Sequence, residues 1–369
     1  MKEKSYRIII AGGGTGGHLF PAIAIGDELI SNGAKIKYIG SKYGIESNYK
    51  FIDKKNIELL DLRGLQRTLS LNSLLKNILL PYKLIKSFFQ VHRLFKNYKP
   101  DFVIGTGGYS CAIPLFLAFR KKILTAIQEQ NVLPGMVTKK LSNKVDFIFT
   151  SFAETNEYLP NNNNLFYTGN PIRSIIKNND KIIARNKYKL SLNKFTILII
   201  GGSQGAKAIN DHFLSKHQYY LDKDIQLIWQ IGSYSNNILK DIKNPNIKIR
   251  KFINNMGIAY SASDLIVSRA GATAISEITY LGKPSILIPY PYAANNHQEI
   301  NARILEKNNA SLMLKEEELR NGELESIISN SSKFLLKMDN MKINAIKFSK
   351  KNSASLIAEK IINEIDNAR

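Results

Sequence analysis

The stretch that decides the fold is RIIIAGGGTGGH, residues 7–18. Arg7–Ala11 is a short run rich in β-branched residues that ends in a glycine cluster, and an amphipathic segment follows from Pro21 to Asn32. A strand that passes through a glycine-rich turn into a helix is the opening unit of ligand-binding α/β domains. We therefore expect a parallel sheet covered by helices.

The same pattern of apolar runs and longer mixed segments continues along the chain. Further strand candidates in the first half are Lys35–Gly40, Ile57–Leu62, Asp101–Gly105 and Ile123–Ile127. The pattern restarts at Phe195–Ile200, which again ends in glycines, and continues through Gln226–Ile231, Ile247–Lys251, Leu265–Ser268 and Ser285–Pro289. The sequence therefore predicts duplicated α/β architecture with a boundary near Pro171. Isoleucine spacing predicts one amphipathic helix over 341–365.

Composition indicates an ordinary globular chain with an unusual charge. Of 369 residues, 44% are hydrophobic and 22% are charged, with Lys+Arg 52 against Asp+Glu 30 and a net charge of +22. Such an excess attracts polyanions or an anionic membrane. The single cysteine, Cys111, excludes an intrachain disulfide and is expected to be a small buried residue. The first residues do not resemble a secretory leader, and no run is long enough to span a bilayer, so we expect a soluble or peripheral protein.

The glycine loops predict anion sites. Gly12, Gly14 and Gly17 satisfy the dinucleotide-binding pattern, but the next strand ends in Gly40-Ser41-Lys42, without the acid that would bind the ribose of NAD. The pattern therefore disfavours a dinucleotide cofactor. Two more glycine loops, at 105–109 and 201–205, also follow strands, where open α/β sheets bind ligands.

A segment of the second half offers a diphosphate and ribose site. The stretch 269–277, RAGATAISE, predicts a small-residue turn and a helix start, whose N–H groups suit a phosphate. Glu277 could bind both ribose hydroxyls, or it could simply complement the helix dipole. The amides in 296–302, NHQEINA, suit sugar hydroxyls because they both donate and accept hydrogen bonds.

Taken together, these motifs resemble one family over nearly the whole chain: the bacterial UDP-N-acetylglucosamine transferases that make lipid II from lipid I in peptidoglycan synthesis. The matching stretches are 12–25, 104–110, 129–131, 169–173, 201–206, 269–277 and 296–302. The resemblance implies an α/β fold of the GT-B class, two Rossmann-like domains with parallel sheets facing across a cleft. It implies an acceptor and membrane domain at 1–170, with a C-terminal helix at about 345–369 packing back on it, and a UDP-sugar domain at 171–344.

The resemblance also assigns residues. It implies that Arg173 and Ile253 lie near the uracil, that Glu277 holds the ribose, and that Asn131 and Gln298 contact the N-acetylglucosamine. It implies that Ser203, Ala272 and Thr273 contact the diphosphate, and that Thr15, Gly16 and Gly17 face the acceptor and the donor. The residues that follow in the second stretch, Ala274, Ile275 and Ser276, are also implied to bind substrate. Where the family often has a histidine before Glu-Gln-Asn, this chain has Gln128.

The implied reaction is inverting transfer of N-acetylglucosamine to the 4-hydroxyl of N-acetylmuramoyl-pentapeptide on undecaprenyl diphosphate. His18 is the candidate general base, because a glycine loop places it and it titrates near neutral pH; the alternative is a ring that only hydrogen-bonds the loop or the acceptor diphosphate. We expect no cofactor and no protein-bound metal, since no Asp-x-Asp cluster lies in a suitable loop.

A basic, acid-free segment predicts membrane contact, which the resemblance places at the cytoplasmic face of the plasma membrane. Between Asp61 and Asp101 there is no acidic residue but there are eight Lys or Arg, interleaved with leucine, isoleucine and phenylalanine. An apolar face in a basic surround is typical of a helix lying on anionic lipid, although a core-packed helix with a solvated basic side gives the same pattern. The candidate contacts are Leu75, Leu79, Lys83, Phe88 and Phe89.

The sequence alone leaves three alternative functions open. The nearest is another GT-B transferase that moves a UDP-hexose to a lipid acceptor. The second is a NAD-dependent oxidoreductase. The third is a nucleic-acid-binding protein, suggested by the net charge of +22, although the sequence contains no recognised nucleic-acid module and we expect no such partner.

Overall fold

The computed structural model describes residues 5–48, 52–64, 78–160, 164–202, 204–234, 242–329 and 331–369. The chain forms two compact units. The first comprises Met1–Arg173 together with Asn352–Arg369, and the second comprises Ser174–Lys351.

The first unit contains a seven-stranded sheet in the order β3-β2-β1-β4-β5-β6-β7. Every neighbouring pair is parallel. The strands are β1 Arg7–Ala11, β2 Lys35–Ser41, β3 Ile57–Leu60, β4 Phe102–Gly105, β5 Leu124–Glu129, β6 Phe147–Thr150 and β7 Leu165–Tyr167. The order reverses between β1 and β4, which is the point where ligands bind in open parallel sheets.

Helices cover both faces of this sheet. They are α1 Gly16–Ser31, α2 Leu80–Tyr98, α3 Ala112–Arg120, α4 Met136–Leu141 and, from the C-terminal segment, the helix Ser353–Asn367. One buried cluster joins the sheet to α1 and to Ile357, Ile361 and Ile365 of the C-terminal helix. A second cluster lies on the other face, around Val91 and Phe95 of α2.

The second unit repeats the architecture with a six-stranded sheet in the order β10-β9-β8-β11-β12-β13. All neighbouring pairs are again parallel. The strands are β8 Phe195–Ile200, β9 Ile225–Gln230, β10 Ile247–Arg250, β11 Leu265–Ser268, β12 Ser285–Leu287 and β13 Leu312–Met313. Here the order reverses between β8 and β11, the counterparts of β1 and β4.

The helices of the second unit pack around a core that includes Phe213, Tyr220 and Trp229. They are α5 Lys181–Tyr188, α6 Lys207–Asp222, α7 Met256–Ala262, α8 Ala272–Tyr280, α9 His297–Lys307, α10 Glu316–Arg320, α11 Glu323–Ser329 and α12 Ser331–Phe348. The C-terminal helix Ser353–Asn367 is accordingly α13.

The same side-chain hydrogen bond occurs at equivalent positions of the two units: an aspartate that precedes one strand accepts from an amide of the neighbouring strand. Asp101 precedes β4, and its carboxylate accepts a hydrogen bond from the first amide of the neighbouring strand, Arg7 N, at 2.8 Å. Asp264 precedes β11 and accepts from Thr196 N, near the start of β8, also at 2.8 Å. The two aspartates thus satisfy amides near the starts of strands at equivalent positions of the two units.

The α/β class with two parallel sheets is as predicted, and β1, β8 and β11 have the predicted bounds. Strands β6 and β13 were missed, and β7 ends at Tyr167, where the short strand and turn predicted from the stretch YTGNPIR, residues 167–173, would begin. The single helix predicted over 341–365 is wrong: α12 ends at Phe348 and α13 begins at Ser353, and the left-handed backbone of Asn352, with φ 63°, separates them. Consequently Ile343 and Ile346 are exposed on α12, whereas Ile357, Ile361 and Ile365 are buried in the first unit.

Candidate functional site

In the first unit the glycine loop after β1 places His18 in the first turn of α1. Its Nδ1 lies 3.1 Å from the carbonyl oxygen of Gly13. Because a carbonyl only accepts, Nδ1 must carry the proton of this bond, and in the neutral ring Nε2 is then the basic nitrogen. The hydroxyl of Thr106, in the loop after β4, donates to the His18 carbonyl at 2.9 Å. The two glycine loops at the β1–β4 switch point are therefore joined around His18.

A buried glutamate that sequence reasoning did not identify holds the same loop. Both carboxylate oxygens of Glu46 lie 2.9 Å from Gly14 N, and Oε1 also accepts from Ser41 N at 2.6 Å. A Cβ at Gly13, Gly40 or Gly44 would lie within 2.5 Å of a Glu46 side-chain atom. The loop around His18 therefore requires glycine partly because this carboxylate occupies the adjacent space.

Gln128, the residue before Glu-Gln-Asn, is fully buried. Its side-chain nitrogen donates to the Ser151 hydroxyl at 3.0 Å and to the Asn170 side chain at 3.3 Å. Gln130 in turn donates to the carbonyl oxygens of Thr106, at 2.8 Å, and of Gln128, at 2.9 Å. These amides connect β5 to the second glycine loop, so position 128 has a structural role in this chain.

Asn131 lies in the loop that follows β5. The Glu129 carboxylate accepts from Asn131 N at 3.1 Å and from the Asn131 side chain at 3.4 Å. It also accepts from Gly135 N at 2.9 Å and from the Thr138 hydroxyl at 2.6 Å. Glu129 thus fixes the orientation of Asn131, whose sugar contact stays a prediction.

Arg173 is the last residue of the first stretch of the first unit. Its guanidinium carbon lies 3.7 Å from the centre of the Phe20 ring on α1, within the range of a cation–π interaction. The predicted contact of Arg173 with uracil stays a prediction.

In the second unit, the glycine loop after β8 packs tightly against the end of β9. Gly205 has φ +80°, and a Cβ there would lie 2.4 Å from the Ile231 carbonyl oxygen, so only glycine fits without strain. Gln230, at the end of β9, accepts from Ile253 N at 2.8 Å and donates to Gly202 O at 3.4 Å. This places the buried Ile253 beside the loop. Ser203 lies outside the described residues.

The turn after β11 leads into α8, whose N-cap is Gly271. A Cβ at Gly271 would meet nothing within 4 Å, so the approach to this helix end is open. The helix dipole and the amides of Ala272, Thr273 and Ala274 favour an anion there. Ile275 and Ser276 are further along the helix; the Ser276 hydroxyl donates to Ala272 O at 2.8 Å.

Glu277 is buried one turn into α8. The hydroxyl of Tyr260, on α7, donates to its Oε2 at 3.1 Å. A buried carboxylate that is held by a tyrosine can accept from further hydroxyls, as a ribose diol requires. Sequence reasoning identified Glu277 but missed Tyr260.

Gln298 and Arg269 organise the loop after β12. Gln298 lies in the first turn of α9, and its side-chain oxygen accepts from Tyr290 N at 3.0 Å. Arg269 donates to the carbonyl oxygens of Ile288 and Pro289, at 3.2 and 3.0 Å, and pairs with Glu316. Gln298 and Arg269 thus both hydrogen-bond the backbone that follows β12. The sugar contact of Gln298 stays a prediction.

Helix α2 carries the described part of the predicted membrane surface. Leu79 and Phe89 are 53% and 66% exposed, whereas Phe88 packs against the core beside Val91 and Phe95. Lys83 pairs with Asp61 at 2.9 Å. Phe88 and Lys83 are therefore held by the protein itself, which leaves Leu79 and Phe89 as the better candidates. Leu75 lies outside the described residues.

The described part of the chain contains no helix both long and apolar enough to cross a membrane. Within the same ranges, no group of three or more His, Cys, Asp or Glu side chains is placed to hold a metal ion.

The thiol of Cys111 is buried, as expected from the sequence. Burial raises its pKa to about 12, so the group is a neutral thiol at physiological pH. It donates to Gly108 O at 3.0 Å and thereby closes the second glycine loop.

Two family models match the chain. Residues 8–150 match the glycosyltransferase family 28 N-terminal domain, and residues 196–361 match the glycosyltransferase family 28 C-terminal domain. Among solved structures, the crystal structure of MurG from Acinetobacter baumannii has a TM-score of 0.71 at 24% identity, covering 97% of this chain and 99% of that one. The UDP complex of MnaA from S. aureus has a TM-score of 0.64 at 12% identity, covering 98% and 97%. These structural likenesses show the fold.

Sequence relatives are more specific. Proteins named UDP-N-acetylglucosamine–N-acetylmuramyl-(pentapeptide) pyrophosphoryl-undecaprenol N-acetylglucosamine transferase were found in Acetivibrio thermocellus and Flavobacterium psychrophilum. The first is 38% identical over 368 residues, covering 97% of this chain and 98% of its own length. The second is 34% identical over 374 residues, covering 99% and 100%. This chain therefore belongs to the family of these N-acetylglucosamine transferases, within glycosyltransferase family 28.

Proposed function

We propose that this chain transfers N-acetylglucosamine from UDP-N-acetylglucosamine to the 4-hydroxyl of undecaprenyl-diphosphoryl-N-acetylmuramoyl-pentapeptide. The product is lipid II, the disaccharide precursor of peptidoglycan. The observation that carries the proposal is the match of the chain, over nearly its full length, to relatives that are named for this reaction.

In the second unit we assign the donor. The diphosphate would lie at the open N-terminus of α8, where the helix dipole and backbone amides favour negative charge. The ribose would bind Glu277, which Tyr260 orients. The uracil would lie against Ile253, whose backbone Gln230 fixes. Gln298 would reach the sugar from a loop that Arg269 braces. Donor recognition thus uses side chains that are each held by a neighbour.

In the first unit we assign proton transfer to His18. The hydroxyl proton of the acceptor passes to Nε2 as the oxygen bonds to the anomeric carbon. The bond from that carbon to the β-phosphate oxygen breaks, and UDP leaves with its electron pair. Glycosyl transfer passes through an oxocarbenium-like state, so the helix N-terminus that binds the diphosphate also stabilises the charge that develops on the leaving group.

We further propose that the first unit contacts the cytoplasmic face of the membrane through the exposed side of α2 and the two residues that precede it. Ile78, Leu79, Ile85 and Phe89 are all at least half exposed, and they lie in a stretch with basic but no acidic residues. Apolar side chains in a basic surround bind anionic lipid by combining burial with charge attraction. Such a position suits a lipid-linked acceptor.

Donor competition tests the assignment of the sugar. The protein is incubated with labelled UDP-N-acetylglucosamine, an acceptor analogue and increasing amounts of unlabelled UDP-sugars. We expect UDP-N-acetylglucosamine and UDP to compete far better than UDP-glucose or NAD. Equal competition by UDP-glucose would instead indicate a transferase for a different hexose.

A further inference from the structure

We infer that Glu46 is a positioning residue that acts on His18 through the Gly13–Gly14 peptide group. This inference rests on the proposed role of His18 as the base. The C=O of this peptide belongs to Gly13 and accepts from His18 Nδ1 at 3.1 Å. Its N–H belongs to Gly14 and lies 2.9 Å from both Glu46 carboxylate oxygens. One peptide plane therefore joins a carboxylate to an imidazole.

The glycines around Glu46 leave the space that its carboxylate occupies. Glu46 is 3% exposed, so its carboxylate is removed from water. A Cβ at Gly13 would lie 2.2 Å from Oε1, and a Cβ at Gly44 would lie 2.2 Å from Oε2. At Gly40 a Cβ would lie 2.5 Å from the Glu46 Cγ atom. Residues from three points of the chain thus leave room for one carboxylate beside the 13–14 peptide.

The electrostatic consequence follows from peptide resonance. A carboxylate that accepts from the N–H draws positive charge toward nitrogen and increases the negative charge on the carbonyl oxygen. That oxygen becomes a stronger acceptor for Nδ1–H. It therefore fixes the tautomer with Nε2 as the base, and it stabilises the imidazolium that forms after proton transfer. Carboxylate–histidine pairs of hydrolases achieve the same result by direct contact.

The other groups that the structure places directly against His18 are neutral. Gly107 and Gly108 pack on the ring, and the Gln130 side chain lies beside Gly107. Cys111, which bonds Gly108 O, is a neutral thiol because burial raises its pKa to about 12. The charged groups on neighbouring elements are Arg173, whose guanidinium carbon lies 3.7 Å from the centre of the Phe20 ring on α1, and Glu129 of β5, whose charge acts on Cys111 and whose carboxylate accepts from Gly135 N and the Thr138 hydroxyl. Glu46 is thus the carboxylate that is hydrogen-bonded to the peptide group contacting His18.

The direct test is an NMR titration of the His18 imidazole in the wild type and in Glu46→Gln, with His18→Gln used to assign the signal. We expect the titration midpoint in Glu46→Gln to lie about 0.5–1 pH unit lower, since a nearby negative charge no longer favours the imidazolium. Glu46→Asp keeps the charge and should hold its midpoint closer to that of the wild type. Glu58→Gln, which alters a hydrogen-bonded glutamate on β3, should leave it unchanged. The inference is wrong if the midpoint is the same in Glu46→Gln and wild type.

Activity gives an independent test by a double-mutant cycle. Glu46→Gln alone should lower kcat/KM about 10- to 100-fold and move the acidic limb of its pH profile to lower pH. In a His18→Gln background the same change should cost less than about 2-fold, because the residue through which Glu46 acts is gone. Equal losses in both backgrounds would show that Glu46 only stabilises the loop. A shifted midpoint in a protein without transferase activity would support the pairing and contradict the proposed function.

Discussion

The hydroxyl of Tyr260 donates a hydrogen bond to Glu277 Oε2 at 3.1 Å, and both side chains are buried. The two residues belong to α7 and α8, the helices that precede and follow β11 in the sequence. The tyrosine occupies one carboxylate oxygen and restricts the rotation of the carboxylate. In the proposed donor site this orients Glu277 toward the two hydroxyls of a ribose.

Tyr260→Phe should therefore weaken the binding of UDP. Loss of one hydrogen bond to a charged acceptor costs about 1.5–3 kcal/mol where it acts directly, and an indirect effect of about 1 kcal/mol would raise the Kd for UDP about 5-fold. Calorimetric titration with UDP measures this. Tyr188→Phe, a half-buried tyrosine of the same unit, serves as the control. An unchanged Kd in Tyr260→Phe would separate Tyr260 from donor binding.

Phe89→Asp should reduce the binding of the protein to vesicles rich in anionic phospholipid. Phe89 is 66% exposed on α2, and burial of one such side chain contributes about 1.5–3 kcal/mol, so the partition coefficient should fall about 10-fold or more. Co-sedimentation at low ionic strength measures the partition. Leu336→Asp, at an equally exposed position of the second unit (69%), is the matched control. Equal partitioning of Phe89→Asp and the wild type would exclude α2 as the contact surface.

A buried triad in the second unit predicts a pH dependence of stability. Glu325 Oε1, on α11, accepts from the Tyr220 hydroxyl and lies 2.8 Å from His212 Nε2, both on α6. Burial tends to raise the pKa of Glu325, but hydrogen bonds from His212 and Tyr220 outweigh burial and lower that pKa below its ordinary value. The stabilisation is therefore present above the unfolded pKa, near 4.5, and is lost as the pH falls through the lower folded pKa.

Glu325→Gln should accordingly destabilise the protein by about 1–3 kcal/mol at pH 7, because a buried charged acceptor is lost. The difference between variant and wild type should shrink below about pH 4. Denaturant unfolding at pH 7 and pH 3.5 measures both values. A destabilisation of the same size at both pH values would show that the charge of Glu325 contributes nothing.

Much of the fold follows from local sequence. Runs such as Arg7–Ala11 and Phe195–Ile200 are rich in isoleucine and are bounded by glycine, so their strands have the predicted bounds. Helix α1 begins at Gly16, five residues before the predicted start. Glycine disfavours a helix, so the sequence pattern assigns Gly16 and Gly17 to the loop. The break at Asn352 is invisible in the isoleucine spacing, since a single left-handed residue leaves the apolar pattern intact.

The site could be predicted only in part. Motifs revealed residues near the N-termini of the helices that follow the loops, such as His18, Glu277 and Gln298. The residues that hold them are distant in sequence: Glu46 is 32 residues from Gly14, and Tyr260 is 17 residues from Glu277. Their contacts arise from strand order and helix packing, which no local pattern encodes. Exposed Phe89 and packed Phe88 are likewise adjacent and chemically identical, and only the packing of α2 distinguishes them.

The central claim is tested most directly by product formation. The purified protein is incubated with UDP-N-acetylglucosamine and a lipid I analogue, and the lipid-linked disaccharide and UDP are measured by mass spectrometry. The account predicts equimolar disaccharide and UDP, with a rate about 10²- to 10⁴-fold lower in His18→Gln, the range typical of a lost general base. Failure to form disaccharide with an acceptor that an authentic transferase accepts would contradict it.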